Sequence, residues 1–328
     1  MDYSNRREFV AAAGTAAASL AAGCLGGASS GSRTVTVDYA YYNPVSLVLR
    51  ENGWVEEEFN DTDADVNWVL SLGSNEANQY SQSGEAEFAS TAGIAALMAR
   101  SNGIPIRTPY IYSKPEWTAL VANSDSGISE VEDLVGKSVA ATRGTDPHFF
   151  LLQALDAAGV SESDVDIVHL QHPEGQDALV QGDVDAWAGL DPHMAELQLD
   201  YDVDLFFRKP SFNTYGFLNV QESFLQDHPE DTQRVLRAYE RGRNWAIDNP
   251  DGTVSILAEA SEMSEPVARK VFTDRTDLST PHPGDQHREL LSDLAPILHE
   301  KGIVSEDVDL QAAIGELIDS ETAAPVIE

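Results

Sequence analysis

Ser138-Val139-Ala140-Ala141-Thr142-Arg143-Gly144-Thr145-Asp146-Pro147-His148 reads as a β-strand, a tight turn and the opening of a helix. The apolar run is short and ends in small residues, and Gly144 marks the turn. Asp146 stands where an N-cap is expected and Pro147 where the first helical residue belongs. The helix is expected over 147–158, with Gly159 as its stop. Nearly the same order returns at Trp187-Ala188-Gly189-Leu190-Asp191-Pro192-His193. Strands that hand over to helices through small-residue turns imply an α/β fold with helices on both faces of a sheet. In such sheets a ligand sits beyond the carboxyl ends of the strands.

Working outward, strands are expected at 117–122, 165–170, 184–188 and 204–207, with helices at 173–181 and from 192. A short helix is expected after Ser129-Glu130-Val131-Glu132, which has capping-box spacing. Upstream, Thr34-Val35-Thr36-Val37-Asp38-Tyr39 alternates strictly, as a half-buried strand does. Helices over 46–59, 76–82 and 93–100 then alternate with strands at 66–72, 87–89 and 104–112. Downstream, an apolar strand at 215–220 precedes helices to the C-terminus, the longest over 229–247. A βα-rich middle bracketed by isolated apolar strands implies an insertion. Lobe 1 would comprise 34–116 plus 217–328 and lobe 2 would be 117–216. Two crossings, near Trp117 and Phe217, form a hinge over a cleft, where small ligands bind.

The net charge is −35, from 55 Asp+Glu against 20 Lys+Arg, of which five are lysine. With 42% hydrophobic residues and regular periodicity the chain is globular, its solvated faces rich in carboxylates. Such a surface suits high salt, where self-repulsion is screened. Nucleic acid and anionic membranes are poor partners for it.

The head carries Arg6-Arg7 with Phe9 two places on, then a 14-residue apolar run to Ala22, then Gly23-Cys24. Paired arginines before a short apolar run describe a twin-arginine export signal over 1–23. The run is too short to span a bilayer of ~30 Å. Ala21-Ala22-Gly23 before Cys24 resembles a lipoprotein processing box, with Ala21 where leucine is usual. Cys24 is then the lipid-bearing first residue of the mature chain, on a Gly/Ser tether over 24–33. A single cysteine permits no intramolecular disulfide.

Several strand ends aim at the cleft. Arg143, Gly144 and Thr145 supply a guanidinium and free backbone N–H groups for an anion. Asp146 and Asp191 read either as plain caps or as acceptors for an amine. Ser90 and Thr91 can donate through hydroxyl and backbone N–H, and Ser74 and Asn43 sit at two further strand-to-helix turns. Trp187 and Trp117 are expected near the cleft. No G-x-S-x-G, G-x-x-x-x-G-K-[ST] or H-E-x-x-H motif occurs. His169 and His172 straddle a strand end without a third ligand, so neither a metal nor a cofactor is expected.

The segments Ser113-Lys114-Pro115-Glu116-Trp117, Asp133-Leu134-Val135-Gly136-Lys137, Gly182-Asp183-Val184-Asp185-Ala186-Trp187 and Asn213-Thr214-Tyr215-Gly216-Phe217-Leu218 resemble the solute-binding proteins of ABC importers. The group is the nitrate, sulfonate and taurine binders, with relatives that bind thiamine-precursor pyrimidines. The resemblance implies a two-lobed clamshell of the type II periplasmic-binding-protein kind, with two crossover strands as its hinge. It implies no catalysis, a membrane permease as partner and a single-subunit state. The family's ligand loops fall on Asn43, Ser74, Ser90, Thr91, Arg143, Gly144, Thr145, Trp187 and Asp191. Sulfonate binders often carry paired Ser or Thr after the middle glycine, whereas here Thr145 is followed by Asp146. That departure sets an unadorned sulfonate or nitrate apart and leaves taurine-like or heterocyclic ligands open. A pyrimidine-precursor synthase on the same fold would need a His- or Cys-rich cluster that the chain lacks, and a receptor-coupled sensing module is the third class.

The charge predicts salt-dependent folding. The melting temperature should rise steeply between about 0.1 and 3 M salt as self-repulsion is screened; a flat profile by scanning calorimetry would contradict a salt-adapted surface.

Overall fold

The computed structural model describes residues 33–327. The expected export signal, Cys24 and the tether as far as residue 32 lie outside the described residues, while Arg33, expected as the tether's last residue, opens the first strand. The fold is α/β and two-lobed, built on two sheets. Strands β1 (Arg33–Tyr39), β2 (Ala64–Leu70), β3 (Phe88–Ala92) and β4 (Ile106–Pro115) belong to the first sheet. Strands β5 (Thr118–Asn123), β6 (Ser138–Ala141), β7 (Asp166–His169), β8 (Ala186–Leu190) and β9 (Val203–Phe207) form the second. The first sheet is completed by β10 (Gly216–Gln221) and β11 (Thr276–Asp277).

The strand orders are β11-β4-β10-β3-β1-β2 and β7-β6-β8-β5-β9. In each sheet a parallel core carries antiparallel strands next to the crossings. β1 runs parallel to β2 and β3, while β10 runs antiparallel to β3 and β4. In the second sheet β6 is parallel to β7 and β8, and β5 is antiparallel to β8 and β9. The chain therefore leaves the first sheet after β4 and returns into it as β10.

Helices α1 (Pro44–Asn52), α2 (Trp54–Phe59), α3 (Ser74–Ser83) and α4 (Gly93–Ser101) cover the first sheet. Helices α5 (Asp146–Ala158), α6 (His172–Gln181) and α7 (His193–Asp200) cover the second. The long α8 (Pro229–Asp248) lies across α1 and α2, close enough that a methyl group on Gly242 would stand 2.6 Å from Leu49. Arg234, Arg237 and Arg241 of α8 pair with Asp61, Glu58 and Glu57. Among the described residues no helix is long and apolar enough to cross a membrane.

Several expectations are corrected. The single helix over 46–59 is two, because Gly53 adopts φ +64° and turns the chain between them. The strand β1 is not half-buried: Thr36 and Asp38 on its polar face are enclosed like Val35 and Val37. A central strand covered on both faces has no solvent side, so alternation there marks buried polar contacts. The turn after Ser129 is a 3-10 turn over Val131–Leu134, not an α-helix. Ser90 and Thr91 lie inside β3, not after it.

Apolar clusters lie on both faces of each sheet. Phe149 and Leu152 of α5 join Ile94 and Leu97 of α4, so the second lobe inserts side chains into a cluster of the first. Trp187 is 1% exposed and lies among Val121, Leu179, Met194 and Leu197, beneath α6 and α7. Its indole sits against Gly175 of α6, where a Cβ would come within 2.5 Å of Nε1. Burial of an indole removes ~150–250 Å² from water, so this close seat matters. Gly175→Ala should lower stability by about 1–3 kcal/mol through overpacking, read by denaturant unfolding in high salt; an unchanged midpoint would refute the seat.

Candidate functional site

The lobes meet at a small cavity of about 10 Å³, room for roughly one water. Ligand pockets for drug-sized molecules span ~300–1,000 Å³, so a solute enters here only when the walls part. Its walls come from strand ends and helix starts of both lobes. Ser74 is the first residue of α3 and Ala92 the N-cap of α4. Thr145, Asp146 and Pro147 are the N-cap and first two residues of α5. Tyr42 and Leu190 stand one and two residues before the N-caps of α1 and α7. Trp117 lies on the outgoing crossing. The first turn of a helix leaves N–H groups without intrahelical partners and carries partial positive charge. Helix starts from both lobes thus border the wall, whose one charged side chain is Asp146.

The walls are stitched by hydrogen bonds. Ser74 Oγ accepts from the Ala92 N–H at 2.9 Å, which ties α3 to α4. Thr145 Oγ1 donates to the Thr142 carbonyl at 2.6 Å, so it shapes the turn rather than capping with its side chain. Asp146 is not the N-cap that the sequence implied. Its carboxylate accepts from Trp117 Nε1 at 2.6 Å, from the Thr214 N–H at 2.9 Å and from Thr214 Oγ1 at 2.8 Å. Burial pushes the Asp146 carboxyl up, and the bonds from Thr214 and Trp117 oppose that. No cation pairs with it among the described residues.

Beneath the cavity lies a buried polar network. Asp38 Oδ1 accepts from Ser90 N–H and Oγ at 2.8 Å each, and Oδ2 accepts from Ser71 Oγ at 2.8 Å. Asn43 Nδ2 donates to Ser90 Oγ at 2.8 Å, and Tyr42 donates to the Ser90 carbonyl at 3.0 Å. Thr91 Oγ1 accepts from Asn219 Nδ2 at 2.8 Å. Burial raises the Asp38 carboxyl to about 6, against the pull of Ser90 and Ser71.

The sequence-derived residues thus divide. Ser74 and Thr145 line the cavity. Asn43, Ser90 and Thr91 are fully enclosed and support its floor. Gly144 adopts φ +79° with Met98 of the first lobe close by, while Arg143 is exposed on the same turn and does not line the cavity. Trp187 belongs to the core of the second lobe and does not line the cavity; on a strand covered on both faces the sequence does not distinguish the two directions. Asp191 is neither a cap residue at the helix boundary nor a free acceptor. Both its oxygens take Arg275 Nη1, at 2.7 and 2.9 Å, and Oδ1 also accepts from the Ala195 N–H at 3.0 Å. This ion pair is buried and joins the second lobe to the segment before β11.

Tyr42, Trp117 and Asp146 complete the wall; the sequence pointed Trp117 and the Asp146 turn at the cleft, and Tyr42 only as a neighbour of Asn43. Arg275 carried none, lying 84 residues from its partner outside any motif. The two histidines of the metal-like spacing serve the turn instead. His169 Nδ1 accepts from the Arg143 N–H at 3.1 Å, and the His172 ring meets Thr142 Oγ1 at 3.2 Å. Burial lowers His172 to about 3, which keeps it neutral. Among the described residues no group of His, Cys, Asp and Glu could hold a metal ion.

Comparison with known proteins extends this geometry. The family described as NMT1/THI5 like matches residues 47–253. The taurine-binding periplasmic protein of Escherichia coli (strain K12) is 26% identical over 298 residues, 83% of this chain and 88% of that protein. An enzyme, the 4-amino-5-hydroxymethyl-2-methylpyrimidine phosphate synthase of Legionella pneumophila, is 24% identical over 242 residues, 71% of this chain and 74% of its own. Among solved structures, the alkanesulfonate-binding protein SsuA of Xanthomonas axonopodis pv. citri bound to MOPS superposes with a TM-score of 0.78 at 20% identity. The superposition covers 85% of this chain and 97% of that one, which shows a shared fold.

The buried Asp38 carboxyl should leave a pH signature. Its folded value of about 6 lies above the ordinary 3.8, so the unfolded chain releases this proton first. Its contribution to stability is full below about pH 4, declines as the pH rises, and is lost above about pH 6, a change of ~3 kcal/mol. The stability difference between the native chain and Asp38→Asn, measured by denaturation from pH 4 to 7, should follow that slope; parallel curves would count against it.

Proposed function

The chain belongs to the NMT1/THI5-like family, and from that premise we propose that it is a solute-binding protein of an ABC importer. It captures a small anionic or zwitterionic solute, of the aliphatic sulfonate, taurine or nitrate class, between its lobes and delivers it to a membrane permease. The observation that carries this reading is the small cavity where helix starts of both lobes converge. Backbone N–H groups there would hold an acidic head without a basic side chain. Likeness to the taurine-binding protein over most of both chains supports the same reading.

In this account the lobes are 34–116 with 217–328, and 117–216, hinged at the two crossings. Ser74, Thr145, Tyr42, Trp117 and Asp146 contact the solute; Asn43, Ser90 and Thr91 hold the floor; Arg143 and Gly144 stand at the rim; Trp187 and Asp191 act from behind the wall. The protein binds and does not catalyse. It leaves the cell by the twin-arginine route, remains on the outer face through lipid on Cys24, and works as a monomer in salty surroundings. A heterocycle such as a thiamine-precursor pyrimidine is the second reading, favoured by the Tyr42 and Trp117 rings, which meet edge to face at 6.0 Å.

A thermal-shift screen in multimolar salt, with taurine, alkanesulfonates, nitrate and aminopyrimidines, tests the reading. A bound solute should raise the melting temperature, by the equivalent of ~2.7 kcal/mol at a hundredfold excess over Kd. It should also change tryptophan emission through Trp117, and Trp117→Phe should abolish that change while Trp187 stays silent. Failure of every sulfonate beside a shift with an aminopyrimidine would select the second reading, and turnover of any probe would select an enzyme.

A further inference from the structure

We infer that the solute carries a positively charged group, and that this group seats against Asp146 and the rings of Tyr42 and Trp117. The inference rests on the solute-binding reading and names the chemical class that the cavity takes. The wall contains one charged side chain, Asp146, and it is a carboxylate. Its hydrogen bonds come from an indole, a backbone amide and a hydroxyl, none of them charged. Among the described residues it forms no ion pair, unlike Asp191, whose charge is met by Arg275. Oδ1 of Asp146 takes a single hydrogen bond, from Thr214, and keeps room for another donor.

The surroundings point the same way. Asp38 lies under the floor, also without a cation among the described residues. Tyr42 has its hydroxyl pushed well up by burial, and next by the charges of Asp38 and Glu76. A bare anion entering this space meets the Asp146 carboxylate in the wall. The start of α5 is already answered by Asp146 at its first position. At the start of α4 the Ala92, Gly93 and Ile94 N–H groups are taken by Ser74 Oγ, the Tyr215 carbonyl and Thr214 Oγ1, which leaves the start of α3, at Ser74, for an acidic head. A solute bearing both charges satisfies each side, its cation next to Asp146 and two aromatic rings able to receive it. The class is therefore a compact zwitterion, such as an aminoalkanesulfonate, rather than nitrate or an unsubstituted sulfonate.

The test compares taurine with isethionate, which replaces the ammonium by a hydroxyl, and with ethanesulfonate, which lacks both. Calorimetric titration of the full chain in high salt should show taurine bound at least about tenfold tighter than either, equivalent to ~1.4 kcal/mol. Asp146→Asn should remove most of that preference while affinity for ethanesulfonate holds or rises. Equal affinities for the three in the native chain would overturn the inference and leave the solute-binding reading standing, as would an equal loss for all three in the variant. Should the variant not fold, the native comparison decides alone. Binding of none of them overturns the sulfonate reading and the inference with it.

Discussion

The carboxylate of Asp146 holds both crossings between the lobes. Trp117 lies on the outgoing segment and Thr214 on the returning one, and each donates to it. These bonds fix the start of α5 against two stretches of chain that are remote in sequence but adjacent at the hinge. Thr214 also reaches the start of α4, its hydroxyl accepting from the Ile94 N–H at 3.5 Å. One side chain of the second lobe thus sets the position of a helix start in the first. The cavity follows from that arrangement, since its walls are the residues these bonds bring together. Removing the acceptor while keeping its donors would leave buried N–H groups unpaired, at ~1–3 kcal/mol each.

A second buried carboxylate plays a different part. Asp191 meets Arg275 where the second lobe touches the segment before β11, and Gln198 takes the other guanidinium nitrogen at 2.5 Å. Beside it the Glu116 N–H donates to the Arg275 carbonyl at 2.7 Å, so the outgoing crossing is tied to the same segment. Breaking a buried pair costs far more than forming it yields, because the remaining charge stays desolvated. The pair therefore specifies how the C-terminal part seats on the hinge more than it adds stability. Its charge is spent there, which leaves Asp146 as the carboxylate of the cavity wall.

Much of this was legible in the sequence because strand-to-helix turns have local grammar. The junction at Thr145 and Pro147, the stop at Gly159 and the small residues before α3 and α4 all fall where backbone chemistry requires them. Orientation was not legible. On strands enclosed on both faces every residue is buried, so Trp187 and Ser90 offered no polar or apolar contrast from which to read their direction. Partners distant in sequence were also hidden. An Asp before a Pro looks like a cap, and only the folded chain sets Asp146 against Thr214 and Asp191 against Arg275.

The charge of the chain reads differently at the surface and at the cavity. At the surface, carboxylates are solvated and salt screens them within ~10 Å at 0.1 M and less above it. In the cavity wall, Asp146 is 2% exposed and salt cannot reach it. High salt therefore silences the acidic exterior as a source of long-range repulsion toward an anion, while the interior carboxylates keep their full effect at contact. Discrimination in a salty medium then falls to the few groups that are buried. Of the residues lining the cavity, Asp146 alone carries a charge, so what salt does to the exterior leaves the charge of that wall unchanged.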